Sequence, residues 1–398
     1  MKKVISIALT LLMVAVMLPV MAMADEGTTL PDPDENGVIT LDKNVVLADA
    51  VEITNNVTID LHGFSITSSN GNSGKVIIAM ANVTIKDSVG NGRIESTSTS
   101  GGSSAAIRVG TAGTDEDITV TIESGTMKGR DCGIFVAGIN SKLVVNGGYI
   151  EGTNGFGVSG NGSMKNGVPE CGPTTITING GKIIGGGTGI YHPQVGKLTI
   201  NNGEITGETG IEIRSGDLNV NGGVITATGN PTSTDPNGNG STTVGAAIAV
   251  VQHTTKQPIN VKINGGSFNG VSALYEANPQ SNPKEATEKI SIVVNGGTFN
   301  GDVNKDDVDA SNLLINGGTF TKKESGAEKY LANGKELDGN GNVVNKPGTP
   351  IIIYNPTVDT PKANDQKNPS TGANDFVGVA AAMAVVSLLG AAAVIRKK

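Results

Sequence analysis

One short sequence pattern recurs ten times along this chain and constrains its fold more than any other feature. Each copy has an apolar residue, a spacer, a second apolar residue and a polar residue that leads into a turn. The copies begin at Val57, Val83, Val120, Leu143, Ile176, Leu198, Leu218, Val261, Ile292 and Leu313. They are 20 to 43 residues apart, and the shortest units span 20–23 residues. Such a unit cannot bury an apolar face alone, so the pattern predicts a solenoid of stacked units.

Each unit has space for three short strands and none for a crossover helix. In the later units the pattern extends to apolar-x-apolar-Asn-Gly-Gly-x-apolar. The alternating β-branched residues indicate strands, and the glycine pair indicates a turn with positive φ. A second strand follows the glycines, and a third can be aligned in most units. Successive units must then pair in parallel, which predicts an all-β chain folded as a parallel β-helix of about ten coils.

Two further columns of residues repeat with the coils. Phe268, Phe299 and Phe320 take the same inward position of the second strand, which predicts a ring stack in the core. Seven asparagines fall at one corner, where stacked amides can form a structural hydrogen-bond ladder; a ligand-binding stripe is the alternative interpretation. They are Asn146, Asn179, Asn201, Asn221, Asn264, Asn295 and Asn316.

The repeat resembles the pectate-lyase-like superfamily of right-handed parallel β-helices over about residues 38–322. Segments 60–66 and 85–92 are similar to the opening coils of β-helical surface proteins of Gram-positive gut bacteria, and 330–337 is similar to their closing segment. The resemblance implies a single-stranded, right-handed β-helix. It implies no particular function, because lyases, hydrolases, adhesins and spacers share this fold.

Both ends of the chain carry processing signals. A basic start, an apolar run and an A-x-A sequence predict a secretory signal peptide that is cleaved between Ala24 and Asp25. Near the other end, an apolar stretch over 376–395 and a basic tail follow a Pro-x-Thr-Gly element made of Asn368, Pro369, Ser370, Thr371 and Gly372. This order resembles a sortase sorting signal, with Asn368 where the commonest motif has Leu. The resemblance implies that sortase cleaves after Thr371 and joins the chain to peptidoglycan; an ordinary C-terminal membrane anchor is the alternative.

The sequence thus divides into six parts. They are a signal peptide over 1–24, N-terminal strands that cap the solenoid over 25–56, the β-helix over 57–322, a C-terminal cap over 323–344, a proline-containing tether over 345–367 and the sorting signal over 368–398. This layout predicts a protein on the cell wall of a Gram-positive bacterium, which contacts the membrane only through its C-terminal segment before processing.

The net charge of the chain limits the classes of partner that it is expected to bind. The whole chain has a net charge of −8, and residues 1–24 and 372–398 carry two net positive charges each. Their removal would leave about −12. An acidic chain with no basic cluster in its sequence argues against nucleic acids and anionic glycans as partners.

The sequence carries no pattern typical of a catalytic, metal or cofactor site. A β-helical hydrolase would cluster carboxylates on neighbouring coils, and the outward positions of the first strands hold none. Residues 32–37 match the opening of an EF-hand loop, but Lys43 stands where the twelfth position needs Glu, so a turn is the better interpretation. Cys132 and Cys171 could form a disulfide in an exported chain or remain free.

The third strands carry the surface that the sequence favours for recognition. Their outward column is predicted to read Arg108, Phe135, Gly157, Tyr191, Glu212, Ala249 and Tyr275. Rings that face solvent among polar groups suit a sugar ring or a protein partner. Insertions border these strands and would convert a flat face into a groove, at 95–104, 111–117, 159–173, 229–243 and 277–289. The candidate binding face therefore consists of Arg108, Phe135, Tyr191, Glu212 and Tyr275.

Together these observations predict a non-enzymatic, wall-anchored surface protein or adhesin that binds a host or dietary glycan or a host protein. Sortase and peptidoglycan are the partners predicted for its attachment. A secreted β-helical polysaccharide lyase or hydrolase, and a passive surface spacer, are the alternatives.

Overall fold

The computed structural model describes residues 28–68, 74–99, 104–115, 117–233, 241–306 and 311–348, which all belong to one unit covering 1–349. The predicted cleavage pair Ala24–Asp25, the sorting residues 368–372, the apolar stretch 376–395 and most of the tether lie outside the described residues. Among the residues that are described, no helix combines the length and the apolar character needed to cross a bilayer.

The described chain forms a parallel β-helix, as the repeat predicts. Its first sheet has eleven parallel strands, and each strand pairs with those one coil before and after it. They are Val38–Thr40, Val57–Asp60, Val83–Lys86, Thr119–Ile122, Lys142–Val145, Thr174–Ile178, Gly196–Ile200, Gly216–Val220, Ile259–Ile263, Ile290–Val294 and Asn312–Ile315. The eleven strands correspond to one coil more than the ten copies found in the sequence.

The second and third strands of each coil form two further faces, joined because two long strands, Ser267–Glu276 and Thr298–Lys305, run through both. The other strands of the second face are Val45–Leu47, Ser65–Ser68, Arg93–Ser96, Thr126–Gly129, Tyr149–Gly152, Lys182–Gly185, Glu204–Gly207, Val224–Ala227 and Thr319–Phe320. Those of the third face are Val51–Ile53, Lys75–Ala79, Ala105–Val109, Cys132–Val136, Phe156–Ser159, Thr188–His192, Thr209–Ile213 and Ala246–Val250.

The remaining elements lie in insertions and at the C-terminal end. The only helices in the described ranges are one turn each, Lys284–Thr287 and the 3-10 turn Ala327–Tyr330. Three short antiparallel pairs are Met164–Lys165 with Val168–Pro169, Thr232–Ser233 with Thr243–Val244, and Lys335–Leu337 with Val343–Asn345. The last pair follows Leu331, which bridges to Ile315 and so covers the final edge of the first sheet.

The strand register explains the core. Ile178 pairs with Ile200, which pairs with Val220, and all three side chains are fully buried. Because side chains alternate across a strand, equal registers stack like residues above one another in every coil. Phe268, Phe299 and Phe320 form the predicted core stack, with ring centroids 4.7 Å apart at both contacts. Apolar columns of this kind hold the coils together.

The first coil begins earlier than the repeat indicates. Val38–Thr40 pairs in parallel with Val57–Asp60, although the sequence assigns residues 25–56 to strands that cap the solenoid. The segment has the right alternation, with Ile39 buried and Thr40 exposed. Thr40 takes the polar position of Asp60, but Gly37 stands where the repeat has its first apolar residue, so the sequence pattern missed this copy.

Two glycines are needed at the first corner for different reasons. Gly223 has a φ of +88°, a conformation that side chains disfavour. A Cβ on Gly222 would lie 2.5 Å from the carbonyl oxygen of Asn201 in the preceding coil. These two coils therefore approach too closely for a side chain at position 222, although the preceding coil holds Asn202 at the equivalent position.

The asparagine ladder runs along the same corner. Each side-chain Nδ2 donates to Oδ1 of the asparagine one coil earlier, at 2.8–3.1 Å, from Asn316 to Asn146. Asn146 in turn donates to Glu123 Oε1 at 2.9 Å. The amide dipoles all point the same way, and a carboxylate sits at their positive end, as at a helix N-terminus. The amides lie at the surface, so this column is a structural device exposed to water.

We expect Asn221→Ala to lower the free energy of unfolding by about 1 kcal/mol, because it breaks two hydrogen bonds whose partner amides can still bind water. Asn219→Ala is the matched control: its side chain lies two residues away and makes no hydrogen bond within the described part of the chain. Urea unfolding curves compare the two variants. Equal stabilities for both would contradict a stabilising ladder.

Candidate binding groove

The predicted binding face forms a single column in the structure. Arg108, Phe135, Tyr191, Glu212 and Tyr275 occupy equivalent register positions in the coils of the third face. One position of the predicted column is wrong. Ser159, and not Gly157, lies between Phe135 and Tyr191, because the strand that begins at Phe156 is shifted by two residues relative to the sequence alignment.

The prediction that the rings of this column face solvent is wrong for its centre. Tyr191 is only 5% exposed, and Glu212 is fully buried. Arg108, Phe135 and Tyr275 are half-buried. The side chains do point away from the core, but the insertions fold back over the outer surface of the third face and cover it.

A buried polar network fixes one of these insertions. The Glu212 carboxylate accepts hydrogen bonds from the Thr242 backbone N–H and hydroxyl, both at 2.9 Å, and from the Ser241 hydroxyl. Arg214 Nε lies 3.8 Å from Glu212 Oε1, and Arg214 Nη1 donates to the Tyr191 hydroxyl at 3.1 Å. The network therefore connects the insertion that ends at residue 243 to the aromatic centre of the face.

Burial shifts the pKa values of Glu212 and Tyr191 in this network. It raises the pKa of Glu212, although hydrogen bonds from Ser241 and Thr242 and the charge of Arg214 favour the ionised form. The Thr242 backbone N–H and the Arg214 guanidinium can only donate, so both favour the carboxylate form against the effect of burial. Burial also raises the pKa of Tyr191 to about 12, so its hydroxyl stays protonated.

A groove opens beside this covered region. It has a volume of about 310 Å³ and is lined by Asp131, Cys132, Phe135, Phe156, Ser159, Gly160, Asn161, Gly162, Tyr191, Pro193 and His253. The Phe156 and Tyr191 rings stack with centroids 4.8 Å apart and planes 18° apart. Three coils and the loops that contain residues 160–162 and 253 thus contribute to a concave surface that combines rings with polar groups.

The insertion over 159–173 forms part of the rim of the groove. Gln257 Nε2 contacts Met164 Sδ at 3.7 Å, and the Gly113 N–H donates to the Glu170 carbonyl at 2.7 Å. The loop therefore reaches coils on both sides of its own. This agrees with the sequence argument that the insertions shape a groove along the third face.

His253 lines the groove, and its hydrogen bonds define the tautomer of its ring. Its Nδ1 lies 3.1 Å from the Thr255 backbone nitrogen, which can only donate, so Nδ1 is the acceptor and the neutral ring carries its proton on Nε2. From the sequence, His253 is expected to be a structural or solvated residue, because it lies in a loop outside the repeated strands. Phe156 was also missed, because the alignment put it at an inward position.

The two cysteines are free thiols and do not form the disulfide that the sequence left open. Burial raises the pKa of Cys132 to about 12 and that of Cys171 to about 11. Both are therefore protonated at neutral pH. Cys132 lines the groove as a small apolar group, because only the thiolate is a good nucleophile.

Within the described residues, no group of three or more His, Cys, Asp and Glu side chains is placed to hold a metal ion. Residues 32–37 form a turn before the first strand, in which Asp34 Oδ1 accepts from the backbone N–H groups of Asn36 and Val38 at 2.9 and 2.8 Å. His192 is fully buried at an inward position of its strand.

The groove on the third face is therefore the candidate binding site of this chain. Comparison with protein-family models, with curated proteins and with solved structures gave no match for this chain.

Proposed function

We propose that the chain is a wall-anchored surface protein whose β-helix presents the third-face groove to a ligand from the surroundings of the cell. The groove itself carries this proposal. Insertions cover the centre of the third face, and the groove beside them leaves the partly exposed rings of Phe135 and Phe156 next to the polar groups of Asp131, Asn161 and His253. A concave site with rings and a few polar groups is typical of ligand recognition.

A glycan fits the groove well. A sugar ring has an apolar C–H face that can pack on Phe135 or Phe156, and hydroxyls that can bind the Asn161 amide and the Asp131 carboxylate. The stack of Phe156 on Tyr191 fixes the ring orientation before a ligand arrives, which lowers the entropy cost of binding. A rigid, preformed site of this kind suits a binding protein on an exposed surface.

The test is a glycan and host-protein array probed with the purified full-length chain. We expect Phe135→Ala to weaken binding of the ligand found by about 2 kcal/mol, since rings at a binding centre contribute that much. Tyr149→Ala is the matched control, because Tyr149 is a half-buried ring on the second face. Equal binding by wild type and both variants would place the ligand elsewhere and contradict the proposal.

The anchoring part of the proposal rests on the order of the C-terminal elements, a Pro-x-Thr-Gly sequence, an apolar stretch and a basic tail. We expect Thr371→Ala to move the protein from the peptidoglycan fraction to the membrane fraction, because the Thr–Gly bond is the one that sortase would cleave. Ser370→Ala is the control, since it changes the variable position of the motif. Thr371→Ala protein that stays with peptidoglycan after boiling in detergent would rule out this mode of attachment.

A further inference from the structure

A basic cluster lies at the N-terminal end of the groove. It consists of Lys75, Arg108 and Arg130, which are 33 and 22 residues apart in the sequence. Arg108 pairs in register with the groove residue Phe135, so its backbone is one strand spacing away, about 4.8 Å. The winding of the coils thus assembles a charge cluster that no sequence window contains.

The other two cations, Lys75 and Arg130, lie near Cys132, which lines the groove. Lys75 pairs in register with Ala105, which pairs with Cys132 in the next coil. Arg130 precedes Asp131 and Cys132, both of which line the groove. The basic cluster therefore adjoins residues that line the groove, although none of its three cations is itself part of the lining.

Two members of the basic cluster lack a carboxylate partner. Within the part of the chain that the structure describes, neither Lys75 nor Arg108 forms an ion pair, and Arg108 Nε donates only to the Gly110 carbonyl, at 2.9 Å. Both residues are half-buried. Burial lowers the pKa of Lys75, and the positive charge of Arg108 lowers it further. The two cations repel each other, and an anion between them would relieve this repulsion.

The nearby carboxylates do not neutralise the cluster. Asp131 is already paired with Arg130 at 3.0 Å. Burial raises the pKa of Asp131, but hydrogen bonds from Arg130 and Ser104 outweigh this and hold it below its usual value. Glu170, in the insertion over 159–173, forms no ion pair within the described ranges. Three cations thus face two carboxylates, which leaves one net positive charge here in a chain of net charge −8.

We propose that the groove binds an acidic glycan, with a carboxylate or sulfate group at Arg108 and Lys75 and a sugar ring packed on Phe135 and Phe156. This rests on the proposed function and names the chemistry of the ligand. The planar fork of a guanidinium can bind two oxygens of one anionic group, and a lysine adds a point charge. The overall acidity of the chain argues against anionic glycans only as an average, whereas binding depends on the local field.

The experiment measures, by calorimetry, the affinity of the purified full-length chain for paired neutral and acidic oligosaccharides. Lactose, sialyllactose and sulfated lactose separate a carboxylate from a sulfate, and a wider array of uronate and sulfate glycans extends the pairs. A poly-glutamate peptide tests an acidic protein partner. Melting temperatures verify that each variant is folded.

We expect an acidic glycan to bind at least roughly tenfold more tightly than its neutral counterpart, and Arg108→Met to remove that advantage. Lys75→Met should weaken binding in the same direction. Lys262→Met is the matched control, because Lys262 is an exposed lysine on the first sheet that forms no ion pair with any described residue, and it should leave the affinity unchanged.

Several outcomes would overturn the inference. The inference fails if neutral and acidic glycans bind with equal affinity, or if Arg108→Met leaves the affinity unchanged. It also fails if poly-glutamate binds as tightly as any glycan, or if no acidic glycan binds at all. If a neutral or protein ligand still binds in a manner that depends on Phe135, the proposed function stands without the acidic group. If no ligand depends on Phe135, both fail.

Discussion

Replacing Glu212 by leucine is expected to destabilise the protein by about 3–5 kcal/mol, because it removes the carboxylate from a fully buried network. Arg214 would lose the carboxylate that lies 3.8 Å from its Nε, and the donors of Ser241 and Thr242 would lose their acceptor. Burying a charge whose partner has been removed costs far more than the pair itself contributes. The insertion that ends at residue 243 should also detach from the third face.

Chemical denaturation measures the loss of stability, and limited proteolysis within 229–243 measures the detachment. Glu208→Leu is the matched control, since Glu208 is exposed and lies in a neighbouring turn, and we expect a change of about 0.5 kcal/mol or less. The double variant Glu212→Leu with Arg214→Leu should recover most of the stability, because it removes both charges. A single variant as stable as the control would show that the network is not energetically coupled.

Features that repeat with the coil could be predicted from the sequence. The asparagine ladder and the Phe268–Phe299–Phe320 stack follow from a fixed position within each unit, because parallel coils in register place equal positions above one another. The candidate binding column was predictable for the same reason. The error at Gly157 arose where the unit departs from the repeat, at a strand followed by a long insertion.

Burial on the third face could not be predicted in this way. Tyr191 and Glu212 point outward, and a repeat predicts only direction. Their covers come from insertions, whose course depends on contacts such as Glu212 with Thr242 and not on periodicity. The basic cluster could not be predicted from the sequence for a related reason. Lys75 and Arg130 do not share the column position of Arg108, so only the three-dimensional arrangement brings the three cations to one end of the groove.

We expect the second large change in the free energy of unfolding when His192 is replaced, because it is a histidine in the apolar interior of the solenoid. It pairs in register with Ile213, is fully buried, and neither ring nitrogen has a hydrogen-bond partner in the described residues. Burial lowers its pKa to about 4, from 6.5 in the unfolded chain. The folded protein therefore holds the neutral ring over a pH range in which the unfolded chain takes up a proton.

The sign of the pH dependence follows from this difference. Above about pH 6.5 neither state binds the proton, and the contribution of the neutral ring to stability is complete. Between pH 6.5 and about 4 only the unfolded state binds it, so stability falls as the pH falls, by about 3 kcal/mol in total. Carboxylates with lowered pKa values, such as Asp60 and Asp131, contribute their own losses at still lower pH.

We expect His192→Ile to remove the loss between pH 6.5 and 4 and to stabilise the protein at pH 7 by about 1–3 kcal/mol. The variant no longer buries two polar nitrogens without partners, and isoleucine matches Ile213 in the next coil. Unfolding free energies at a series of pH values, compared between wild type and variant, isolate the histidine because every other titrating group is shared. A variant that loses as much stability as wild type between pH 6.5 and 4 would assign the acid sensitivity to the carboxylates instead.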